Sequence, residues 1–137
     1  MLAVIFAGVL LAGGCLGSNE DAQAEEAKGK GYDAQPTIAL EGVVAGVVGT
    51  GVLLENHSRE HLSNVEIVIN PTDPSGGFRF RTERVPANAT KTYMAQVFRT
   101  PTGDSLNPMV TKVETMAVYA DTERGRGQWQ GSYRDQY

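Results

Sequence analysis

The sequence is poor in the residues on which disulfide-stabilised domains and metal enzymes depend. Among its 137 residues are one cysteine, two histidines and one tryptophan. A single cysteine excludes a disulfide within the chain, so the fold must be stable without one. Only 12 lysines and arginines stand against 16 acidic residues, which leaves a net charge of -4. Because nucleic-acid binding needs a concentrated basic surface, we expect no nucleic-acid partner.

The sequence also lacks a sustained 3.6-residue period of apolar positions, which a helix would need. Apolar and polar residues alternate instead, with the period of two that is typical of strands. The stretch Leu62–Asn70 places Val65, Ile67 and Ile69 on one face of an extended strand, and Glu66 on the other. We expect this strand to be buried on one face and to organise the fold, since a half-buried strand needs a second layer.

Six further strand patterns are separated by polar turns. They are Ile38–Val48, Thr50–Glu55, Phe78–Thr82, Lys91–Phe98, Val110–Ala120 and Gly127–Tyr133. About seven strands in this arrangement predict an all-β sandwich of immunoglobulin or fibronectin III type, with a small closed barrel as the alternative. Trp129 is expected to be partly buried at the sandwich edge.

The N-terminal stretch Met1–Gly14 is uncharged and apolar, and it ends in small residues before Cys15. This pattern is typical of a secretory signal peptide and is too short for a membrane-spanning helix, which needs about 20 apolar residues. Leu11–Cys15 resembles a bacterial lipobox, in which a signal peptidase cuts before the cysteine and the cysteine carries lipid. An ordinary secretory signal and an apolar anchor are the alternatives.

The lipobox resemblance implies that Cys15 is lipidated and that the protein is anchored to the membrane of the cell envelope. Leu16 is not the aspartate associated with inner-membrane retention, which favours the outer membrane; secretion is the alternative. Residues 15–36 are acidic and poor in large apolar side chains, so we expect a flexible linker. The predicted organisation is a signal peptide at 1–14, this linker, and a β-sandwich domain at 37–137.

Two consecutive strand patterns resemble Ig-like or FxLYD-like domains of bacterial surface lipoproteins. The segment Leu53–Ser58 ends a strand with Asn-x-Ser, and Leu62–Ile69 follows with Leu-x-Asn-Val-x-Ile-x-Ile. A proline-containing turn at Val85–Thr90 adds to the likeness. The resemblance implies a non-catalytic extracytoplasmic module without a cofactor, and we expect it to bind or support a protein or glycan partner.

The segment His57–His61 fits the H-x-x-E-H pattern of zinc peptidases. That chemistry needs both histidines on one face of a helix, where both imidazoles reach one metal. Here the segment is a polar stretch between two strands, so we predict a solvated turn and no enzyme. Binding of zinc or copper by His57 and His61, with or without catalysis, is the alternative function.

A basic cluster on the fourth strand pattern is the candidate binding surface. Arg79, Arg81 and Arg84 accompany Phe78 and Phe80 in an alternating stretch. The arginines could recognise an anionic surface or a polysaccharide, while a solvent-facing strand with its phenylalanines turned inward is the simpler interpretation.

Overall fold

The computed structural model describes residues 29–132, so the predicted signal peptide and Cys15 lie outside the described part. It is an all-β structure with eight strands in two sheets. The strands are β1 (Ile38–Ala39), β2 (Val43–Val48), β3 (Gly51–Asn56), β4 (Leu62–Ile69), β5 (Phe78–Val85), β6 (Ala89–Met94), β7 (Thr115–Thr122) and β8 (Gly125–Ser132). No helix among residues 29–132 is long and apolar enough to cross a membrane.

Five strands form one sheet in the order β1-β8-β7-β4-β5, and three form the other in the order β2-β3-β6. All neighbours are antiparallel except β1 and β8, which run parallel. One core of buried residues joins the sheets, because it combines Val52 and Leu54 of the smaller sheet with Ile67 and Val118 of the larger one. The arrangement is therefore sandwich-like, and apolar side chains from both sheets point towards the shared core.

The strand predicted at Leu62–Asn70 is confirmed as β4, which lies inside the larger sheet between β5 and β7. The expectation that it is buried on one face only is wrong. Val65 and Ile67 lie in the core, but Glu66 and Val68 on the opposite face are also buried. A strand with partners on both sides has its outer face covered by the long side chains of its neighbours, here those of β5.

Aromatic side chains bridge the two sheets at one side of the core. The ring centroid of Phe80 lies 4.8 Å from that of Tyr93 on β6 and 5.3 Å from that of Phe98. Phe80 therefore faces inward, as the alternation predicts, and burial raises the pKa of the Tyr93 hydroxyl above its ordinary value. Trp129 is partly buried and packs against the core, as predicted.

Three predicted strands are divided, or shortened by three residues or more, in the structure. The stretch Lys91–Phe98 ends as strand β6 at Met94, because Ala95–Val97 form a short 3₁₀ helix. The stretch Ile38–Val48 is divided, because β1 pairs with β8 in one sheet and β2 pairs with β3 in the other. Gly42 lies where the chain passes from one sheet to the other. Its φ is 78°, a conformation that favours glycine. The stretch Val110–Ala120 begins as a strand only at Thr115, since the residues before it form turns closed by Asn107.

Candidate binding surface

The outer face of the larger sheet carries two rows of side chains that cross four strands. Strand register places Arg81, Glu66, Tyr119 and Gln128 in one row, each directly opposite the next. The second row consists of Arg79, Val68, Ala117 and Gln130. Residues directly opposite each other share a face of the sheet, so these eight side chains form one surface, which we call the polar face.

Glu66 is the centre of the polar face. Its carboxylate is buried, and each of its oxygens faces a different arginine on β5. Nη1 of Arg79 lies 3.5 Å from Oε1, and Nε of Arg81 lies 3.0 Å from Oε2. The shorter contact is a charge-assisted hydrogen bond of good geometry, while the longer one is at the limit for such a bond. Glu66 therefore orients both guanidinium groups.

Residues that the sequence assigns to the linker contact this surface. The Tyr32 hydroxyl donates to the Thr82 carbonyl oxygen at 3.1 Å, and the Arg81 guanidinium carbon lies 4.5 Å from the centroid of the Tyr32 ring. A cation over an aromatic face at this distance is attracted by the ring electrons. Asp33, which is fully exposed, comes within 3.9 Å of Arg81. The segment from residue 29 to 34 thus lies beside the polar face and borders it.

The polar face retains hydrogen-bonding groups that face solvent. The side chains of Arg79 and Arg81 are 45% and 51% exposed, although each contacts Glu66. Nε2 of Gln128 donates to the Tyr119 hydroxyl at 3.2 Å, which leaves that hydroxyl free to donate. Guanidinium, amide and hydroxyl groups in one plane suit a ligand rich in carboxylates and hydroxyls.

The structure brings together two of the three predicted arginines. Arg79 and Arg81 meet at Glu66, whereas Arg84 lies farther along β5, opposite Ser63. Arg84 is exposed, and within residues 29–132 it forms no ion pair. The third arginine is therefore outside the cluster.

The two histidines lie in a turn, and each has a partner of its own. Nε2 of His57 lies 2.6 Å from Oε1 of Glu55, and Nδ1 of His61 accepts from the Ala87 backbone N–H at 3.2 Å. The segment His57–His61 is not helical, so it does not present both imidazoles on one helical face. In the described part of the chain, no group of three or more His, Cys, Asp or Glu residues is placed to hold a metal ion.

Sequence reasoning missed a buried ion pair beside the polar face. Arg126 is 1% exposed, and its Nη1 donates to Oδ1 of Asp121 at 3.1 Å and to the Asn64 carbonyl oxygen at 2.9 Å. Oδ2 of Asp121 accepts from the Gly31 backbone N–H and from Nδ2 of Asn64. The sequence around Asp121 has the composition of a turn and carries no signal of burial, because its partners lie up to 90 residues away.

Asp121 also lines a cavity of about 380 Å³, together with Lys30, His61 and Asn64. The cavity ends at the segment that carries Tyr32, so it borders the polar face. The residues that line it are all of polar or charged type, in contrast to the apolar core on the other face of the sheet.

Comparison with known proteins finds no family model, no curated protein and no solved structure that matches the chain.

Proposed function

We propose that this protein is a non-catalytic module of the bacterial cell envelope, held to the membrane by lipid on Cys15, which binds a glycan through the polar face. The observation that supports binding is the arrangement at Glu66. This buried carboxylate holds two half-exposed arginines in fixed positions on an open sheet surface. Ligand groups then meet guanidinium groups that are already oriented, which lowers the entropic cost of binding.

The distribution of apolar side chains favours a glycan over a protein at this surface. The large hydrophobic residues that are exposed among residues 29–132 are Val48, Met94, Val97, Met109 and Val110. None of them belongs to the polar face. The fully buried centre of a stable protein interface is more apolar than the rest of the surface, so a face without an exposed large apolar side chain suits a hydroxyl-rich ligand better.

Strand order supports an immunoglobulin or fibronectin III type of sandwich. In the immunoglobulin arrangement the first, second and fifth strands share one sheet, and the third, sixth and seventh share the other. Counted from β2, the chain pairs its strands as β2-β3-β6 and as β8-β7-β4. The fourth strand of that count, β5, joins the second group instead, and it carries both arginines of the polar face.

Binding can be tested with purified polysaccharides and two charge-matched variants. We expect the full chain to bind a carboxylated polysaccharide such as alginate, and Arg79→Ala/Arg81→Ala to weaken this binding about tenfold or more, since charge-assisted hydrogen bonds are lost. Lys91→Ala/Lys112→Ala removes the same charge elsewhere and should bind like wild type. Affinity electrophoresis with alginate, and with neutral dextran for comparison, gives the measurement. Equal loss in both variants would refute the proposed site.

Lipid anchoring through Cys15 can be tested separately from glycan binding. In the native host we expect Cys15→Ser to abolish labelling by radioactive palmitate and to move the protein from the membrane fraction to the soluble fraction, because a thiol-linked lipid can no longer form. Fractionation of wild type and variant measures both effects. Unchanged labelling and retention in Cys15→Ser would contradict lipid anchoring and would leave the glycan-binding proposal untouched.

A further inference from the structure

The chain that precedes β1 is fixed to the larger sheet at two points. The Gly31 backbone N–H donates to Oδ2 of the buried Asp121 on β7 at 2.7 Å. The Thr37 backbone N–H donates to the Arg126 carbonyl oxygen on β8 at 2.9 Å. Residues 32–36 lie between these points and form a short loop, which we call the strap. The strap can therefore move while both fixed points stay in place.

The strap itself is held to the sheet by the side chain of Tyr32. Within residues 29–132, the hydrogen bond that joins the strap to a strand is the one from the Tyr32 hydroxyl to the Thr82 carbonyl oxygen, at 3.1 Å. None of the residues of the strap is fully buried. Because a segment with few buried contacts opens at a low cost in free energy, we expect the strap to open without unfolding of the sheets.

The strap lies against the parts of Arg81 that an acidic ligand needs. Nε of Arg81 donates to Glu66, and the Tyr32 ring lies against one side of the guanidinium plane. Because Nε is taken, a ligand carboxylate that binds through two parallel hydrogen bonds must use the two terminal nitrogens. The Asp33 carboxylate lies beside one of them, with Oδ1 at 3.9 Å from Nη2.

The contact between Asp33 and Arg81 is one that a ligand can displace. Its distance is too long for a hydrogen bond, and the Asp33 side chain is fully exposed. Ion pairs between exposed side chains contribute little to stability. Asp33 therefore competes for the guanidinium without closing the site permanently.

Arg79 provides a comparison within the same surface. It contacts Glu66 as Arg81 does, and its side chain is 45% exposed, against 51% for Arg81. Among residues 29–132, the charge and ring contacts of the strap include Arg81 but not Arg79. A difference in behaviour between the two arginines therefore reports on the strap.

We propose that the strap is an autoinhibitory element, which closes over Arg81 and competes with the acidic ligand of the polar face. This inference rests on the proposed function, because it concerns the regulation of the same surface. The closed strap presents a carboxylate to the guanidinium, as the ligand does, and ligand binding displaces the strap. The apparent affinity is then lowered in proportion to the fraction of molecules in which the strap is open.

Two substitutions in the strap test this competition by affinity electrophoresis with alginate. Tyr32→Ala removes the attachment without a change of charge, and it should bind about tenfold more tightly than wild type, as for a strap closed in about nine of ten molecules. Asp33→Asn removes the competing carboxylate and should bind about threefold more tightly. Glu41→Gln makes the same change of charge at an exposed position between β1 and β2, and it should bind like wild type. Thermal unfolding confirms that each variant is folded.

Chemical modification of arginine tests the strap without a polysaccharide. Phenylglyoxal reacts with accessible guanidinium groups, and mass spectrometry of chymotryptic peptides separates Arg79 from Arg81, because Phe80 lies between them. In the wild-type full chain we expect Arg81 to react at least about threefold more slowly than Arg79, since the closed strap shields it. In Tyr32→Ala the two arginines should react at similar rates.

The results of these experiments separate the strap from the proposed function. If wild type binds alginate and Tyr32→Ala binds no more tightly, the strap is overturned and the polar face remains the ligand site. If neither chain binds, the proposed function is refuted, and the modification rates alone decide whether the strap closes over Arg81. Equal rates for Arg79 and Arg81 in the wild type would overturn the strap whatever the result with alginate.

Discussion

Replacing Asp121 with alanine should lower the free energy of unfolding by about 3–5 kcal/mol, the largest effect that we expect of any polar substitution in the chain. The carboxylate is 5% exposed and is the counterion of Arg126, which is 1% exposed. Removal of the carboxylate leaves a buried guanidinium without a counterion, with the Asn64 carbonyl oxygen as its remaining partner. It also frees the Gly31 backbone N–H, which the carboxylate binds at 2.7 Å, and so loosens the segment beside the polar face.

Urea denaturation measures this loss, and two further variants show its cause. Asp121→Leu/Arg126→Met removes both charges and should recover most of the stability, because apolar residues replace a buried pair with little cost. Arg124→Ala breaks the exposed ion pair with Glu60 and should cost less than about 1 kcal/mol. A loss of less than about 1 kcal/mol in Asp121→Ala would show that the pair is not buried in solution.

Replacing Asn70 with alanine should cost about 2–5 kcal/mol through two separable causes. Its side-chain oxygen accepts from the Glu114 and Thr115 backbone N–H groups, and Nδ2 donates to the Lys112 carbonyl oxygen at 2.9 Å. Loss of these bonds leaves buried backbone groups unpaired, at about 1–3 kcal/mol. The φ of 55° adds about 1–2 kcal/mol, because alanine resists the left-handed conformation.

Asn70→Gly separates the two contributions. Glycine adopts a positive φ without strain but makes none of the side-chain bonds, so this variant should be more stable than Asn70→Ala by about 1 kcal/mol. Chemical denaturation of both variants gives the difference. Equal stability of the two would assign the whole effect to the hydrogen bonds that join the end of β4 to the start of β7.

Local alternation explains which parts of the fold could be predicted. In Phe78–Thr82 apolar and polar residues alternate, and in Leu62–Asn70 the apolar residues Val65, Ile67 and Ile69 recur at every second position, so strand type and inward face follow from the sequence alone. The turn at His57–His61 was predictable for the same reason, since polar residues separate two apolar runs. Where the alternation is broken by glycine or proline, as in Ile38–Val48, the bounds of the strands could not be placed.

Partners that are distant in the sequence explain what could not be predicted. The burial of Glu66 depends on arginines 13 and 15 residues away, and that of Asp121 depends on Asn64, 57 residues away. A single sequence contains no record of such pairings, so both residues have the pattern of exposed carboxylates. The sequence predicts a binding surface at Arg79 and Arg81. That Glu66 is its centre, and that side chains of β7 and β8 belong to it, follows only from the strand register of the structure.

The most direct test of the polar face as a binding surface is a chemical-shift map of the ¹⁵N-labelled chain during titration with alginate oligosaccharides. We expect the largest shifts in the Nε–H of Arg81 and in the backbone amides of Glu66, Val68, Tyr119 and Gln128, and no shift along β2 or β6. Saturable shifts confined to these positions would confirm the account. An absence of shifts, or shifts centred on the smaller sheet, would contradict it.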